Sequence, residues 1–324
     1  MKKKKVICIG GGTGLSTILK GLKKYDIINT TAIVTVMDDG GSSGRLKREF
    51  GVLPPGDIRN CLLALSNKED IFKKIFSYRF PVTKKNPEVG GHSLGNLLMV
   101  ALTDIYKGFD KAIKKISEIL DIKGKVLPIT LQPTDLAAVL EDGKVVFGET
   151  KISSSTSPIK RMFLNPSVVR HYSEVVNEIK DADMIVIGPG SLYTSILPNL
   201  VIKEVREEIA KNKDSIKVYI CNIMTQPGET DNYSVVMHIK KIYEHCENKF
   251  MFDYVFVNSG KLPYRLLKKY KKVKSFPVEV DSKKELKKLI RKDIIIDNFV
   301  DKTKKIQFVR HDSDKVAEML ISLF

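Results

Sequence analysis

Short runs of β-branched and other apolar residues alternate with amphipathic helical segments over most of this chain. The alternation is typical of βαβ units, in which parallel strands form a sheet that helices cover on both faces. We therefore predict a doubly wound α/β fold built on a mainly parallel sheet. The predicted strands span residues 6–9, 32–37, 184–187, 217–220 and 254–257.

Each predicted strand ends in residues that favour turns, chiefly glycine, asparagine, aspartate and serine. In open parallel sheets, ligands bind outside the carboxyl ends of the strands, where such loops gather. The sequence therefore predicts a ligand site along this one edge of the sheet.

The middle of the chain follows a different pattern. Apolar runs at residues 137–140 and 145–148 flank a turn centred on Asp142-Gly143, and an Asp-Gly pair between such runs indicates a β-hairpin. We expect a small antiparallel β-hairpin insertion at about residues 120–162. Since no linker or internal repeat divides the sequence, we predict that residues 1–324 form a single domain that carries this insertion.

Two amphipathic helices follow glycine-containing loops. Apolar residues recur with helical spacing from Ile58 to Leu65, after Asp57, which we expect to cap the helix. A second stripe runs from Leu94 to Leu102. We interpret both stripes as parts of the core.

The chain carries a formal net charge of +17 and has a pI of about 9.5. Such a balance indicates an anionic partner, a lysine-rich solvated surface, or both. The lysines are dispersed over helical segments and are not gathered with stacking aromatic residues. We therefore favour a solvated basic face and expect no nucleic-acid partner.

No secretory leader and no apolar run of bilayer length is evident in the sequence. We therefore expect a cytoplasmic protein that does not insert into a membrane.

The first predicted strand runs into a glycine-rich turn that opens a helix. Without Cβ atoms, backbone N–H groups and the positive end of the helix can approach a phosphate. The dinucleotide pattern G-x-G-x-x-G fails at Leu15, which argues against NAD. A tight corner without a ligand is the alternative for this turn taken alone. The residues of the turn are Gly10, Gly11, Gly12, Thr13 and Gly14.

The second predicted strand ends in Asp38 and Asp39, where a dinucleotide fold carries its ribose-binding acid. The acids lead into Gly-Gly-Ser-Ser-Gly-Arg, in which Ser42 and Arg45 form a second candidate anion-binding loop. An Asx-type turn with solvated charges is the alternative interpretation.

Two further helix starts add polar donors. Arg59 and Asn60 follow a rigid Pro-Pro-Gly approach, and Arg59 either binds a phosphate or bridges to the acids after the second strand. His92 and Asn96 lie in Gly-Gly-His-Ser-Leu-Gly-Asn. There His92 is expected to act as a helix cap or a ligand donor in preference to an acid-base group.

Loops after the later strands complete the predicted site. One follows its strand directly and contains glycine and serine donors, and a proline interrupts the helix beyond it. The amides that end the next two strands suit a base or a ribose. The residues singled out in these loops are Gly188, Gly190, Ser191, Asn199, Asn222 and Asn258.

Six motifs in this order resemble the gluconeogenesis factor (YvcK-type) family, and the resemblance runs over nearly the whole chain. That family belongs with the 2-phospho-L-lactate transferases (CofD-type) in one superfamily with a Rossmann-like core. The motifs lie at residues 10–16, 38–45, 54–60, 91–96, 188–199 and 225–230.

The resemblance implies a Rossmann-like, cytoplasmic factor that is needed for normal cell shape and for growth on gluconeogenic carbon sources. It implies UDP-sugars such as UDP-N-acetylglucosamine as ligands, with Thr13 and Asn199 as contacts. Because no reaction is established for the family, a non-catalytic nucleotide-sugar binding regulator is our main expectation. The resemblance leaves room for protein partners in cell-envelope synthesis and for a homo-oligomer.

The alternative is a Mg²⁺-dependent transferase of the 2-phospho-L-lactate type that acts on a nucleoside diphosphate-linked donor. Its candidate catalytic acids and Mg²⁺ ligands are Asp38, Asp39 and Asp57, because a diphosphate leaving group needs its charge neutralised. The motifs at residues 42–45 and 54–60 resemble the factor branch and disfavour this function. A dehydrogenase ranks third and a nucleic-acid binding protein fourth.

Overall fold

The computed structural model describes residues 2–68, 70–83, 87–301 and 308–324. The strands in these ranges are β1 (Lys4–Gly10), β2 (Ile28–Val34), β3 (Lys125–Pro128), β4 (Asp135–Leu140), β5 (Val145–Phe147), β6 (Ile159–Asn165), β7 (Met184–Ile187), β8 (Ile216–Ile220), β9 (Phe252–Asn258) and β10 (Ile290–Asp297).

The helices in the same ranges are α1 (Gly12–Leu22), α2 (Gly41–Phe50), α3 (Gly56–Leu65), α4 (Asp70–Ser77), α5 (Leu94–Tyr106), α6 (Phe109–Leu120), α7 (Glu149–Ser153), α8 (Ser173–Lys180), α9 (Leu197–Leu200), α10 (Lys203–Lys211), α11 (Val235–His245), α12 (Tyr264–Lys272), α13 (Lys283–Leu289) and α14 (Ser313–Ile321). A π-helical turn, Leu192–Ile196, precedes α9.

Seven strands form a parallel sheet in the order β10-β9-β8-β7-β1-β2-β3, and helices surround it. The predicted doubly wound, mainly parallel α/β fold is confirmed. β1 lies between β2 and β7, so the direction in which successive strands are added reverses there. The edge beyond β1 and β7 is therefore the switch point at which such sheets bind ligands.

Burial explains why the central strands were recognisable in the sequence. Val6, Ile7, Cys8 and Ile9 of β1 have no accessible surface, and the four residues of β7 are equally buried. Central strands of a parallel sheet are covered on both faces and therefore read as continuous apolar runs.

Two of the differences between the predicted and the observed strands have a clear physical cause. The strand expected at residues 32–37 spans Ile28–Val34 and begins among buried threonines that interrupt the apolar pattern. β10 was not predicted, because charged residues such as Arg291 and Lys292 break its apolar run. β10 is an edge strand beside β9, where exposed charges discourage pairing with another sheet.

The predicted antiparallel insertion forms, with different bounds. β4 and β5 pair as the expected hairpin, and β6 adds a third strand on the other side of β4. β3 lies inside the predicted range of residues 120–162 but pairs with β2 in the main sheet. The small antiparallel sheet therefore occupies residues 135–165.

The two helical stripes predicted to belong to the core differ in how deeply they are buried. Ile58, Cys61, Leu62 and Leu65 of α3 are fully buried, as expected. On α5 Met99 is buried, whereas Leu97 is half-buried and Ala101 is exposed, so the interpretation of that stripe as core is only partly right. No helix of the described ranges, α5 included, is long and apolar enough to cross a membrane.

A second, small apolar cluster lies beside the main core. Ile223, Met224 and Val300 form it, and half-buried Leu262 and Tyr270 pack against it. This cluster attaches α12 to the carboxyl edge of β8.

Candidate functional site

The ends of β1 and β7 bring two glycine-containing loops into direct contact. Gly12 has a φ of +63° at the start of α1, in the left-handed region that favours glycine. Gly14 faces the loop after β7, and a Cβ atom at Gly14 would lie 2.4 Å from the carbonyl oxygen of Pro189. The absence of a side chain at Gly14 therefore allows the two loops to pack.

The first turn of α1 directs donors toward this contact. The N-cap residue, Gly11, has extended backbone and supplies no capping side chain. The N–H of Gly12 donates to the Asp57 carboxylate, whereas Thr13 is exposed and its hydroxyl has no partner among the described residues. The remaining N–H groups and the positive end of α1 suit an anion.

Asn222, directly after β8, positions the loop after β7. Its Oδ1 accepts a hydrogen bond from the Gly190 N–H at 3.1 Å, and its Nδ2 donates to the Gly190 carbonyl at 2.8 Å. Next to it, the Ser191 hydroxyl accepts from the Thr194 N–H at 3.1 Å and caps the π-helical turn. Asn222 thus holds the loop backbone, and its contact to a base or ribose stays a prediction.

Asn199 is fully buried beneath these loops. Its Nδ2 donates to the Gly10 carbonyl at 3.2 Å and to the Ser195 carbonyl at 2.7 Å, whereas its buried Oδ1 has no partner in the described residues. The expectation that Asn199 lies on a ligand-facing loop needs correction. Asn199 belongs to α9, and its buried side chain connects that helix to the glycine turn. A direct contact between Asn199 and a UDP-sugar stays a prediction.

Two adjoining cavities open where the loops meet. The first has a volume of about 360 Å³ and the second about 310 Å³, and each lies within the usual range for small-molecule sites. A larger cavity of about 570 Å³ lies apart from them, between β6 and α10. The residues shared by the two adjoining cavities are Thr13, Gly14, Gly190, Ser191 and Gln226.

The ends of this crevice differ in chemistry. The first cavity extends to Tyr270, Phe308 and Arg310, which provide aromatic surface and one cation. The second extends to Glu149 and Glu229, beside the small antiparallel sheet. The crevice therefore has an aromatic end, a centre rich in backbone donors, and an acidic end.

Comparison with known proteins assigns a family to this architecture. The model of the family described as 2-phospho-L-lactate transferase CofD matches residues 6–299. The chain belongs to the CofD family. It is 45% identical to the gluconeogenesis factor of Bacillus subtilis (strain 168) over 322 residues, which cover 99% of this chain and 98% of that protein. It is 44% identical over 324 residues to the gluconeogenesis factor of Listeria monocytogenes, covering 99% and 96% of the two chains.

A solved structure agrees with this assignment. The crystal structure of a UPF0052 family member from Bacillus halodurans matches this fold with a TM-score of 0.92 at 44% identity, covering 99% of each chain. The resemblance to the gluconeogenesis factors within the CofD superfamily is thereby confirmed.

At the acidic end of the CofD-family crevice, Glu149 has two carboxyl neighbours, Asp38 and Asp57, which do not themselves line either cavity. The Gly40 N–H donates to Asp38 at 2.8 Å, and Glu149 is hydrogen-bonded to the same side chain. Burial and the Asp38 charge raise the pKa of Glu149 to about 9 and that of partly buried Asp57 to about 7. At neutral pH Glu149 therefore carries a proton, which it donates to Asp38.

Asp39 is turned away from the other acids. Its Oδ1 accepts from the Thr150 N–H at 2.9 Å and from the Thr150 hydroxyl at 2.6 Å, at the start of α7. In the described residues no group of three or more histidine, cysteine, aspartate or glutamate side chains is arranged to hold a metal. The structure therefore does not gather Asp38, Asp39 and Asp57 into one group, and Mg²⁺ binding by these residues stays a prediction.

Arg59 does not bridge to Asp38 or Asp39, and its contact to a phosphate stays a prediction. It donates to Asn96 Oδ1 at 2.9 Å and to Asn60 Oδ1 at 2.8 Å, and it also donates to the Ser93 hydroxyl. The bridge to Asp38 or Asp39 is replaced by a network that joins α3 to α5. Asp57 does not cap α3 either, because the N-cap position is Pro55 and the carboxylate binds the glycine turn.

His92 and Ser42 belong to the same buried region. The Ser42 hydroxyl lies 2.9 Å from His92 Nδ1 and accepts from Asn96 Nδ2 at 3.0 Å. Burial and the nearby Arg45 charge lower the pKa of His92, so the ring is neutral at pH 7. Ser93, not His92, caps α5 by accepting from the Asn96 N–H.

The last two predicted ligand residues hold loops together. Arg45 donates to the Gly90 carbonyl at 2.7 Å and to the Glu88 carbonyl, so it fastens the loop before α5. Asn258 accepts from the Gly260 N–H at 3.1 Å and from the Phe299 N–H at 2.9 Å. Neither lines the two cavities, and ligand contacts by either stay predictions.

Some residues at both ends of the crevice were not predicted from the sequence. Glu229 lies inside the motif at 225–230, but its role was not visible because Ser153 and Ser191, which donate to it, come from distant segments. Burial raises the pKa of Glu229 against the effect of these hydrogen bonds. Tyr270 and Arg310 had no local motif around them.

Proposed function

We propose that this CofD-family protein is a cytoplasmic gluconeogenesis factor that binds a nucleotide sugar, with UDP-N-acetylglucosamine as the first ligand to test. Its role would be to support normal cell shape and growth on gluconeogenic carbon sources without turning the ligand over. The relatives from Bacillus subtilis and Listeria monocytogenes, which bear the name gluconeogenesis factor, support this biological role.

One observation carries the binding proposal: Thr13 and Gly14, in the N-terminal turn of α1, line both of the adjoining cavities. A diphosphate at Thr13 and Gly14 would accept backbone hydrogen bonds and neutralise the positive end of the helix. The Gly14 contact with Pro189 supports this position, because it places Ser191 opposite the same point.

The two ends of the crevice suggest the direction of the ligand. Tyr270 and Phe308 at the first end offer apolar and stacking surface for a pyrimidine base. Glu229 and Ser153 at the second end offer hydrogen-bonding groups suited to sugar hydroxyls. We therefore place the base toward α12 and the sugar toward the small antiparallel sheet.

The second candidate function is transfer of a phosphorus-containing group from a nucleoside diphosphate-linked donor. The raised pKa values of the Asp57 and Glu149 carboxyl groups favour it, since such shifts are typical of acid-base sites. A cation in this reaction would need the ligand's own phosphate oxygens besides Asp38 and Asp57, because Asp39 is engaged by Thr150.

Thermal unfolding with added ligands tests the binding proposal. A ligand at one hundred times its dissociation constant adds about 2.7 kcal/mol to the free energy of unfolding. We expect stabilisation by UDP-N-acetylglucosamine and none by NAD. Stabilisation by NAD alone would refute the proposal.

Thr13→Ala tests where the ligand binds. It should weaken stabilisation by UDP-N-acetylglucosamine, because the variant removes a free hydroxyl that lines both cavities. Thr103→Ala is the matched control, since its hydroxyl donates to the Met99 carbonyl within α5. An unchanged ligand response in Thr13→Ala would remove Thr13 from the site.

Chromatography of the nucleotide after incubation with Mg²⁺ separates the two functions. The binding proposal predicts that UDP-N-acetylglucosamine is recovered intact. Release of nucleotide that Asp38→Asn abolishes and Asp39→Asn retains would establish the transferase instead.

A further inference from the structure

One basic segment without acidic residues lies beside the candidate crevice. Between Asp253 and Glu279 the chain contains seven basic residues and no acidic residue. α12 forms the centre of this segment, and its Tyr270 lines the first cavity. The basic segment therefore lies at the rim of the crevice.

α12 has one face packed against the protein and one exposed basic face. Leu266 is buried, and Tyr270, one turn later, packs on the small cluster around Ile223. Arg265, Lys268 and Lys272 are exposed, and their spacing of three and four residues aligns them on one face. We call these three residues the basic stripe.

The charge of the basic stripe is not neutralised by any of the described residues. Some exposed lysines on other helices have ion-pair partners, as Lys114 has Glu174 at 3.0 Å and Lys240 has Glu285. In the part of the chain that the structure describes, the basic stripe has no salt-bridge partner. Such a local excess of charge attracts a large anionic surface.

Apolar side chains are exposed next to the same helix. Tyr264 is 80% exposed, Val273 59% and Phe276 43%. Basic residues interleaved with exposed aromatic and aliphatic side chains suit the headgroup region of a bilayer, where lysine stems and aromatic rings pack against lipid.

We propose that α12 docks this protein on bilayers that contain acidic phospholipids, with the basic stripe facing the headgroups. A nucleic acid fits these observations less well. Its single strands bind in grooves lined by stacking rings, whereas the basic stripe lies on the outer face of a helix and Val273 cannot stack on a base. The proposal does not depend on the identity of the ligand in the crevice.

Flotation with vesicles tests the proposal on the full chain. Vesicles of phosphatidylcholine alone are compared with vesicles in which roughly a third of the lipid is phosphatidylglycerol, at low and high salt. Clusters of basic residues bind anionic membranes through an attraction that salt screens. We expect binding to the anionic vesicles only, and at least tenfold weaker binding at high salt.

Two triple variants with the same change in net charge locate the surface. Arg265→Glu, Lys268→Glu and Lys272→Glu together should reduce vesicle binding at least tenfold. Lys111→Glu, Lys160→Glu and Lys213→Glu together, at exposed positions elsewhere, should change it less than twofold. Equal losses in both variants would show a general charge effect and overturn the assignment to α12.

Two further measurements complete the test. Tyr264→Ser with Phe276→Ser should weaken vesicle binding severalfold without a change in charge. Two results with wild-type protein would overturn the proposal, even if the charge variants fail to fold. The first is binding to single-stranded RNA without binding to anionic vesicles, and the second is equal binding to neutral and anionic vesicles.

Discussion

Replacing Gly14 with alanine tests whether the candidate site depends on contact between its two loops. The new Cβ would lie 2.4 Å from the Pro189 carbonyl oxygen and 2.8 Å from its carbon, and neither backbone atom can rotate away. Alanine is about 1 kcal/mol better than glycine within a helix, whereas overpacking costs about 1–3 kcal/mol. We expect the free energy of unfolding to fall by about 1 kcal/mol.

The larger effect of Gly14→Ala should be on the ligand. The shared cavity lining has Thr13 on one loop and Ser191 on the other, so loops forced apart cannot both contact one diphosphate. A loss of about 1.4 kcal/mol would weaken binding about tenfold. Urea unfolding gives the stability change, and titration calorimetry with UDP-N-acetylglucosamine gives the affinity.

Gly21→Ala is the matched control at the other end of the same helix. Its Cβ would lie 1.9 Å from the Ser313 carbonyl oxygen at the start of α14, so it also destabilises the fold. Its affinity for the ligand should stay within about twofold of wild type, because the clash is remote from the crevice. If Gly14→Ala binds as tightly as Gly21→Ala, the loop contact is not part of the site and our reasoning is refuted.

Three other substitutions have defined outcomes. The pKa of Asp57 is raised from 3.8 to about 7, so its protonated form favours folding below pH 4 and this stability is lost as pH rises through 7; Asp57→Asn should reduce the drop in urea midpoint between pH 5 and pH 8. Asn199→Ala removes the side-chain donor to the Gly10 and Ser195 carbonyls and should cost about 1–3 kcal/mol and weaken ligand binding, whereas Asn212→Ala, which removes hydrogen bonds to carbonyls near α8, should cost stability alone. Glu229→Gln should weaken binding of the UDP-sugar more than of UDP in calorimetry, and equal losses would contradict its place at the sugar end.

The sequence predicted the fold well wherever burial on both faces left a continuous apolar run. β1 and β7 were therefore predicted at the right places. β3 and β10 lie at the two edges of the sheet, where partial exposure weakens the pattern. β6 was missed because its burial alternates with exposed basic residues such as Lys160 and Arg161.

The site was predictable only where a local conformation is required. The glycine turn was visible because positive φ and close backbone approach are properties of few residues, as at Gly12 and Gly14. The residues next to an asparagine in sequence do not indicate which group its side-chain amide binds. Asn199 and Asn222 could bind a ligand or a carbonyl equally well by sequence, and the fold directs both at backbone carbonyls.

The carboxylate of Glu229 connects three parts of the chain that are distant in sequence. Ser153 of α7 donates to it at 2.8 Å, and Ser191 of the loop after β7 donates to the same group, while Glu229 itself follows β8. Any occupant that draws Ser191 inward must therefore disturb α7, and with it the antiparallel sheet on the molecular surface. Hydrogen exchange of backbone amides in these three segments should then change together when ligand is added. Exchange in the small antiparallel sheet would thereby show whether the crevice is occupied.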